Sequence, residues 1–428
     1  MKNKGFNFSF SKRLRTYISV AACMFSCCYA TLLSASHFNG IDMLFSEQFY
    51  AKYIHLFEGK NVAVLTNNSA IDAAGIPSYQ RLKRESQKSG SWKISHFFAP
   101  EHGFWGQKHA HFEVIDEKDE DGVTIYSLHG STRRPSPSML KNIDLILIDI
   151  QDLGARNYTY ASTVFYVMEA AALKNIPIVL LDRPNPLGRA VDGPGVDDSV
   201  RSFLGYIDVP LCHGMSMGEL ANYFHKSYLK QGQLTVIPYQ SEDNAYLKCD
   251  DWWVPTSPHI PTIGSARGFS LTTVIASLSW VNIGVGYTLP FQIIGAPWID
   301  GHQLCEKLNQ LNLPGLRFHR WSFTPFFGLY AHKHCEGARI IITDLQAIKP
   351  FITQVEIIHL LFQLYPQEYD VMLAKIDKVK WESLRKGTGI PHIQEILRNP
   401  KTMRQELLKQ NAIAQERLKN LKEFYIYK

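Results

Sequence analysis

From residue 60 onward, short apolar runs alternate with polar or amphipathic stretches. The runs are NVAVLT (61–66), KISHFFA (93–99), VTIYSL (123–128), NIDLILIDI (142–150) and NIPIVLLD (175–182). They are rich in Ile, Val and Leu, the pattern of strands buried on both faces. Between the last two lies TYASTVFYVMEAAALK (159–174), with good helix formers and no Gly or Pro. Strand, helix, strand within about 40 residues predicts a βαβ unit, and hence a parallel sheet in an α/β protein. Beyond about residue 240 the pattern changes. DWWVPTSPHIPT (251–262) is Pro-rich and aromatic and predicts an extended connection. Helical patterning returns at 301–312 and 353–364 and in the charged tail 391–423. We therefore expect one domain over 37–250 and a smaller α+β domain over 251–428.

The chain has 428 residues, 45% hydrophobic, and a formal net charge of +6. That supports a sizeable core. No Lys/Arg stripe interleaved with aromatics occurs, which argues against nucleic-acid binding. No repeat of about 20–50 residues is visible, so a solenoid is not expected. The N-terminus departs from the rest. Lys2, Lys4, Lys12, Arg13 and Arg15 precede TYISVAACMFSCCYATLLSAS, which carries no charge. A basic segment, an apolar segment and small residues form a secretory signal, here residues 1–36, and predict an exported protein of the periplasm or the exterior. The apolar run also nears the ~20 residues of a membrane span, so membrane contact is expected only through this segment, uncleaved or lipidated. Cys23, Cys27 and Cys28 lie in the leader. Cys212, Cys249, Cys305 and Cys335 are far apart without C-x-x-C spacing, which does not suit zinc.

In open α/β sheets, ligands bind at the carboxyl ends of the strands. Asn67 follows the first run. Glu101 and His102 follow the second, in FFAPEHGFWG. Asp149 ends the fourth, and Gln151, Asp152, Arg156, Tyr158 and Tyr160 come after it. Asp182, Arg183 and Asn185 close the fifth, in DRPNP. These groups are expected to face one crevice. No G-x-G-x-x-G follows the first strand and no G-x-S-x-G occurs, so dinucleotide and esterase chemistry are not indicated. Carboxylates, tyrosines, an arginine and asparagines suit a polyhydroxylated substrate and acid-assisted cleavage. Glu101 lies between an apolar strand and Phe104 and Trp105. Desolvation there would keep it protonated, as a general acid requires. Other readings stay open. Asp152 and Arg156, four apart, suit a pair at a helix start. Asp182 suits a turn, and His102 and His213 suit structural hydrogen bonds. No H-E-x-x-H or H-x-x-E-H spacing supports a metal, and no cofactor is expected.

Seven segments in order carry a family resemblance: FAPEHGFWG, DIQDLGARNYTYAST, LDRPNPLG, DGPGVDDSVRSFLG, HGMSMGELAN, PTSPHIPT and PFQIIGAPWID. The chain resembles the DUF1343 family, whose characterised members are NamZ-type exo-β-N-acetylmuramidases. The resemblance implies a Rossmann-like N-terminal domain, a smaller C-terminal domain and an active site in the cleft between them. It also implies release of N-acetylmuramic acid from the non-reducing end of peptidoglycan fragments or muropeptides. By motif, Glu101 becomes the favoured catalytic carboxylate, with His102 beside it. Asp149, Asp152 or Asp182, or a tyrosine such as Tyr160 acting as nucleophile, would be its partner. Asn67, Asp149, Gln151, Arg156, Tyr158, Asp182, Arg183 and Asn185 would hold substrate.

The chain departs from the family in ASLSWVNIGVGYTLPF (276–291). Two glutamates usual in the family fall at Ser277 and Ile283, and a usual arginine at Val285. Trp105 also stands where family members commonly have Arg. An active glycosidase, a non-catalytic binder of cell-wall fragments and a metal-dependent hydrolase are the readings carried forward.

Overall fold

The computed structural model describes residues 39–110, 112–240 and 253–427. The leader over 1–36 and Cys249 lie outside the described residues.

Each apolar run becomes a strand. β1 spans Asn61–Thr66, β2 Lys93–Ala99, β3 Glu117–Lys118, β4 Thr124–Ser127, β5 Leu145–Asp149 and β6 Ile178–Leu181. Two short strands, β7 (Val191–Asp192) and β8 (Cys212–His213), pair with each other, and β9 (Leu234–Ile237) completes the main sheet. The sheet order is β3-β4-β2-β1-β5-β6-β9. All neighbours are parallel except β3 and β4 at the edge. This is the Rossmann-like doubly wound order with one added antiparallel edge strand.

Period-two alternation explains why both faces are apolar. Val62, Val64, Phe97, Ala99, Leu145, Leu147, Val179 and Leu181 fill one face, under the helices Gly40–Leu44 and Ser78–Ser89. Ala63, Leu65, Phe98, Ile146, Ile148, Ile178 and Leu180 fill the other, under Tyr160–Ala172 and Met217–Phe224. Truncating a fully buried ring such as Phe98 would cost about 3–5 kcal/mol. β9 escaped the sequence reading because only Ile237 of its four residues is buried.

The C-terminal part holds an antiparallel sheet, ordered β10 (Ile293–Ala296), β12 (Cys335–Ile342), β11 (Leu316–Phe323). Helix Gly301–Gln310 packs on it, and Ile263–Leu278, Pro350–Leu364, Pro366–Lys375, Lys378–Thr388, Ile393–Arg398 and Pro400–Arg417 pack against one another. The helix Ile263–Leu278 was not expected, since Gly264, Gly268 and β-branched residues lower its propensity. Burial overrides that. Gly268 lies so close to Phe291 that a Cβ would meet its carbonyl oxygen at 2.2 Å. Cys212, Cys305 and Cys335 are buried free thiols. Among the described residues no helix is long and apolar enough to cross a membrane.

The C-terminal part is tied to the β7–β8 pair through buried polar groups. Asp192 accepts from the backbone N–H of Phe351 (2.7 Å) and Ile352 (3.0 Å) at the start of Pro350–Leu364, and from the Asn411 amide. An acidic group there also complements the helix dipole.

Candidate active site

Strand order reverses direction between β1 and β5, since the chain leaves β1 toward β2 and leaves β5 toward β6. A crevice opens at such a point, at the carboxyl ends of the strands. Asn67, Glu101, Asp149 and Asp182 all lie at that edge. So does His129, just past β4.

Glu101 is 7% exposed. Its Oε2 accepts from the Thr159 hydroxyl at 2.6 Å, and its Oε1 lies 3.5 Å from His129 Nε2. Glu101, His129 and Thr159 border a cleft of about 720 Å³. Arg133, Ser202, Phe203 and Leu204 line it from the sheet side, and Lys378, Val379, Glu382, Ser383 and Lys386 line it from the helix Lys378–Thr388. The chain turns sharply after Glu101, with His102 at φ +73° and Gly103 at +80°. His102 is buried. Its Nδ1 lies 2.8 Å from the Lys108 carbonyl, and its ring stacks on Tyr158 with centroids 6.2 Å apart. Burial pushes the Tyr158 phenol well above its usual range, and the nearby Asp152 and Glu101 carboxylates push in the same direction.

The other expected site residues separate into groups. Asp152 Oδ2 accepts from the Gly154 N–H (2.8 Å) and lies 3.6 Å from His213 Nε2, while its Oδ1 has no hydrogen-bond partner among the described residues. The expectation of one shared crevice needs correction for the rest. Asp149 and Arg183 are spent on each other: Nε–Oδ1 is 2.5 Å and Nη2–Oδ2 is 3.0 Å, both groups buried. Arg183 also donates to the Ile71 carbonyl and to Ser78 Oγ. Gln151 donates to the Asp152 and Pro184 carbonyls. Asn185 donates to the Met215 carbonyl and accepts from the Leu187 N–H. It also closes on Gly154, where φ is +77° and a Cβ would sit 2.1 Å from Asn185 Oδ1. Asn67 donates to Tyr160 Oη (2.8 Å), and Tyr160 donates to the Thr256 carbonyl (2.6 Å). Tyr160 is fully buried, and burial first, then Tyr158 and Glu101, hold its phenol protonated. A tyrosinate nucleophile is therefore disfavoured there; the side chain ties the 253–262 segment to the sheet.

Arg156 is likewise an internal tie. Its guanidinium donates to the carbonyls of Pro194 and Val209 (both 2.7 Å) and of Gly387 (3.3 Å) and Thr388 (2.9 Å). The last two end the helix that walls the cleft, so Arg156 sets that wall and complements its dipole. Burial lowers its pKa to about 10, which leaves it charged at neutral pH.

Asp182 accepts from Ser216 Oγ (2.6 Å), the Gly218 N–H (2.7 Å) and Tyr427 Oη (2.7 Å). It joins the sheet to a helix start and to the C-terminal tail. Burial pushes its carboxyl up to about 6. The folded state thus holds this proton more tightly than the unfolded chain, whose Asp titrates near about 4. Its contribution to stability is full below that pH and is lost as pH rises through about 6. The loss is on the order of 3 kcal/mol. Unfolding free energies measured between pH 4 and 7 should show this decline, and Asp182→Asn should flatten it. An unchanged profile in the variant would remove Asp182 as its source.

The sequence reading missed Thr159, His129, Phe203, Arg133 and the helix wall. Thr159 sits inside the Y-T-Y motif. His129 follows VTIYSL directly, so the strand-end rule applied to that run would have found it. No local pattern marks residues 378–386, which reach the site only through tertiary packing.

A Rossmann-like parallel sheet, a helix-rich C-terminal part and a nearly buried carboxylate bordering a cleft define the class: a Rossmann-like α/β protein. The profile of the family described as exo-β-N-acetylmuramidase NamZ, N-terminal, matches residues 62–264, and that of its C-terminal part matches 271–427. The chain belongs to the NamZ (DUF1343) family. It is 36% identical over 368 residues to the peptidoglycan β-N-acetylmuramidase NamZ of Bacillus subtilis (strain 168), covering 83% of this chain and 86% of that protein. A crystal structure of a DUF1343 family protein of Bacteroides fragilis superposes with a TM-score of 0.82 at 30% identity, covering 92% of this chain and 99% of that one. A second from the same organism, at 22% identity and TM-score 0.65, shares the fold.

The residues at positions 277, 283 and 285 are packed. Ile283 is buried in the main apolar cluster and Val285 packs against it. Ser277 donates its hydroxyl to the Thr273 carbonyl of its own helix.

Proposed function

We propose that the protein is an exo-acting glycoside hydrolase that releases N-acetylmuramic acid from the non-reducing ends of peptidoglycan fragments, with Glu101 as general acid in an interdomain cleft. The family and the likeness to the Bacillus subtilis enzyme support a muramidase. The observation that carries the assignment is the Glu101 carboxyl, nearly buried, held by Thr159 and bordering the cleft. Most glycosidases pair such an acid with a second carboxylate. Asp149 is pinned by Arg183, and Asp182 is held by several donors. Asp152 keeps one oxygen without a protein partner and shares Tyr158 as neighbour with Glu101. It is the better second carboxylate, acting either as base that takes a proton from the water attacking the anomeric carbon or as nucleophile on that carbon. A non-catalytic binder of cell-wall fragments is the second reading, favoured by the apolar Ile283 and Val285 where the family carries charges.

Purified protein incubated with a chromogenic N-acetylmuramide and a muropeptide disaccharide should release product from both, with or without chelator. Binding without release would favour the second reading, and loss of activity with chelator would favour a metal-dependent hydrolase. We propose that the protein acts outside the cytoplasm, a reading supported by the basic and apolar segments at residues 1–36. N-terminal sequencing of the exported form should find a start between about residues 31 and 37. A full-length cytosolic chain retaining Met1 would refute export.

A further inference from the structure

N-Acetylmuramic acid differs from N-acetylglucosamine by one group, a lactyl ether bearing a carboxylate. An enzyme selective for it needs cations positioned for that carboxylate. The Glu101 cleft has three cations in its lining: Arg133, Lys378 and Lys386. Lys386 is already paired with Glu382 at 3.2 Å. Arg133 and Lys378 have no ion pair among the described residues. Arg133 comes from the loop after β4, and its guanidinium lies over the Phe203 ring, 4.3 Å from the centroid. That cation–π contact orients the fork while leaving its donors available. Lys378 comes from the opposite wall, as the first residue of Lys378–Thr388. Beside it, Val379 is 78% exposed, an apolar surface of the size of the lactyl methyl. The cleft thus presents two cations without ion-pair partners among the described residues, one from each side, toward its ligand.

We propose that Arg133 and Lys378 recognise the lactyl carboxylate of muramic acid where no stem peptide is amide-linked to it, and set the preference of the enzyme for such residues over glucosamine glycosides. The inference rests on the muramidase reading above. A charge-assisted hydrogen bond from a planar guanidinium, with an ammonium opposite, suits a carboxylate. Both residues are at the cleft rim, so each contact is worth the lower end of the range for hydrogen bonds to charged groups, about tenfold in affinity.

The test compares the 4-nitrophenyl glycoside of N-acetylmuramic acid, its lactyl methyl ester, the N-acetylglucosamine analogue and a muropeptide disaccharide. Wild type should favour the free acid over the ester. Arg133→Gln and Lys378→Gln should each lower kcat/KM for the free acid about tenfold, mainly through KM, and change the ester by less than about twofold. The double variant should treat acid and ester alike. Variants that keep the wild-type preference would overturn the proposal. Weakened cleavage of the muropeptide alone would place the recognised carboxylate in the peptide stem and overturn the lactyl assignment. Calorimetric binding of N-acetylmuramic acid and N-acetylglucosamine separates this from failure of the muramidase reading. An inactive wild type that binds the muramic sugar selectively, with selectivity lost in the double variant, would support recognition without catalysis. Equal or absent binding of the two sugars would overturn it. Both side chains are solvent-exposed, and thermal melts of the variants should match wild type.

Discussion

Glu101→Gln should lower turnover on a muramic-acid glycoside by about 10²–10⁴-fold, the typical contribution of a positioned general acid. The substitution removes the transferable proton and keeps size and shape. The Gln carbonyl can still accept from the Thr159 hydroxyl, which now holds Oε2 at 2.6 Å. The stability change should therefore stay below about 1 kcal/mol. The measurement is kcat and KM on a chromogenic muramide, with a thermal melt beside it. Because the proton is needed only as the glycosidic bond breaks, the loss should appear in kcat with little change in KM. A folded variant with near-normal turnover would make Glu101 the first polar residue of a loop and nothing more. Thr159→Val should share part of the defect, since it removes a hydroxyl that orients the carboxyl.

Asp149→Ala should show the opposite signature, a large loss of stability at a residue the strand-end rule had assigned to substrate. Its carboxylate faces the Arg183 guanidinium in bidentate geometry, and both are sealed from water. Removing one partner leaves a buried charge uncompensated, which costs about 3–5 kcal/mol. Denaturant melts would read this directly. Replacing both partners together, Asp149→Leu with Arg183→Met, should recover much of the loss, because no charge is then stranded. Should Asp149→Ala melt like wild type and fail only to bind sugar, the carboxylate would belong to the substrate after all.

These two residues show why type and position at a strand end do not by themselves assign a role. Glu101 and Asp149 both end apolar strands of one sheet, and both are nearly buried. What separates them is the neighbour each meets across tens of residues: Thr159 and the cleft for one, Arg183 for the other. Arg156 and Tyr160 are similar cases. Both stand inside a motif rich in functional residue types, yet one reaches the end of a helix more than 200 residues away and the other fastens the 253–262 segment.

The sequence by itself determined the five central strands of the sheet, because a strand buried on both faces must be an unbroken apolar run, and such runs are visible one at a time. β1 and β2 coincide with NVAVLT and KISHFFA, and the ends of β4, β5 and β6 fall within three residues of the predicted limits. It also placed Glu101 at the carboxyl edge, since that follows from strand direction alone. The seven ordered segments made the family legible for the same reason, being local strings. The tertiary structure alone decided the strand order, which depends on pairing between segments far apart in the chain. It decided that Ile263–Leu278 is a helix, because burial against Phe291 outweighs its poor propensity. And it decided which polar groups face the cleft and which are consumed inside the protein, because a hydrogen bond is a matter of distance, and the partners that satisfy Asp149, Asp182 and Arg156 come from elements with no local pattern to announce them.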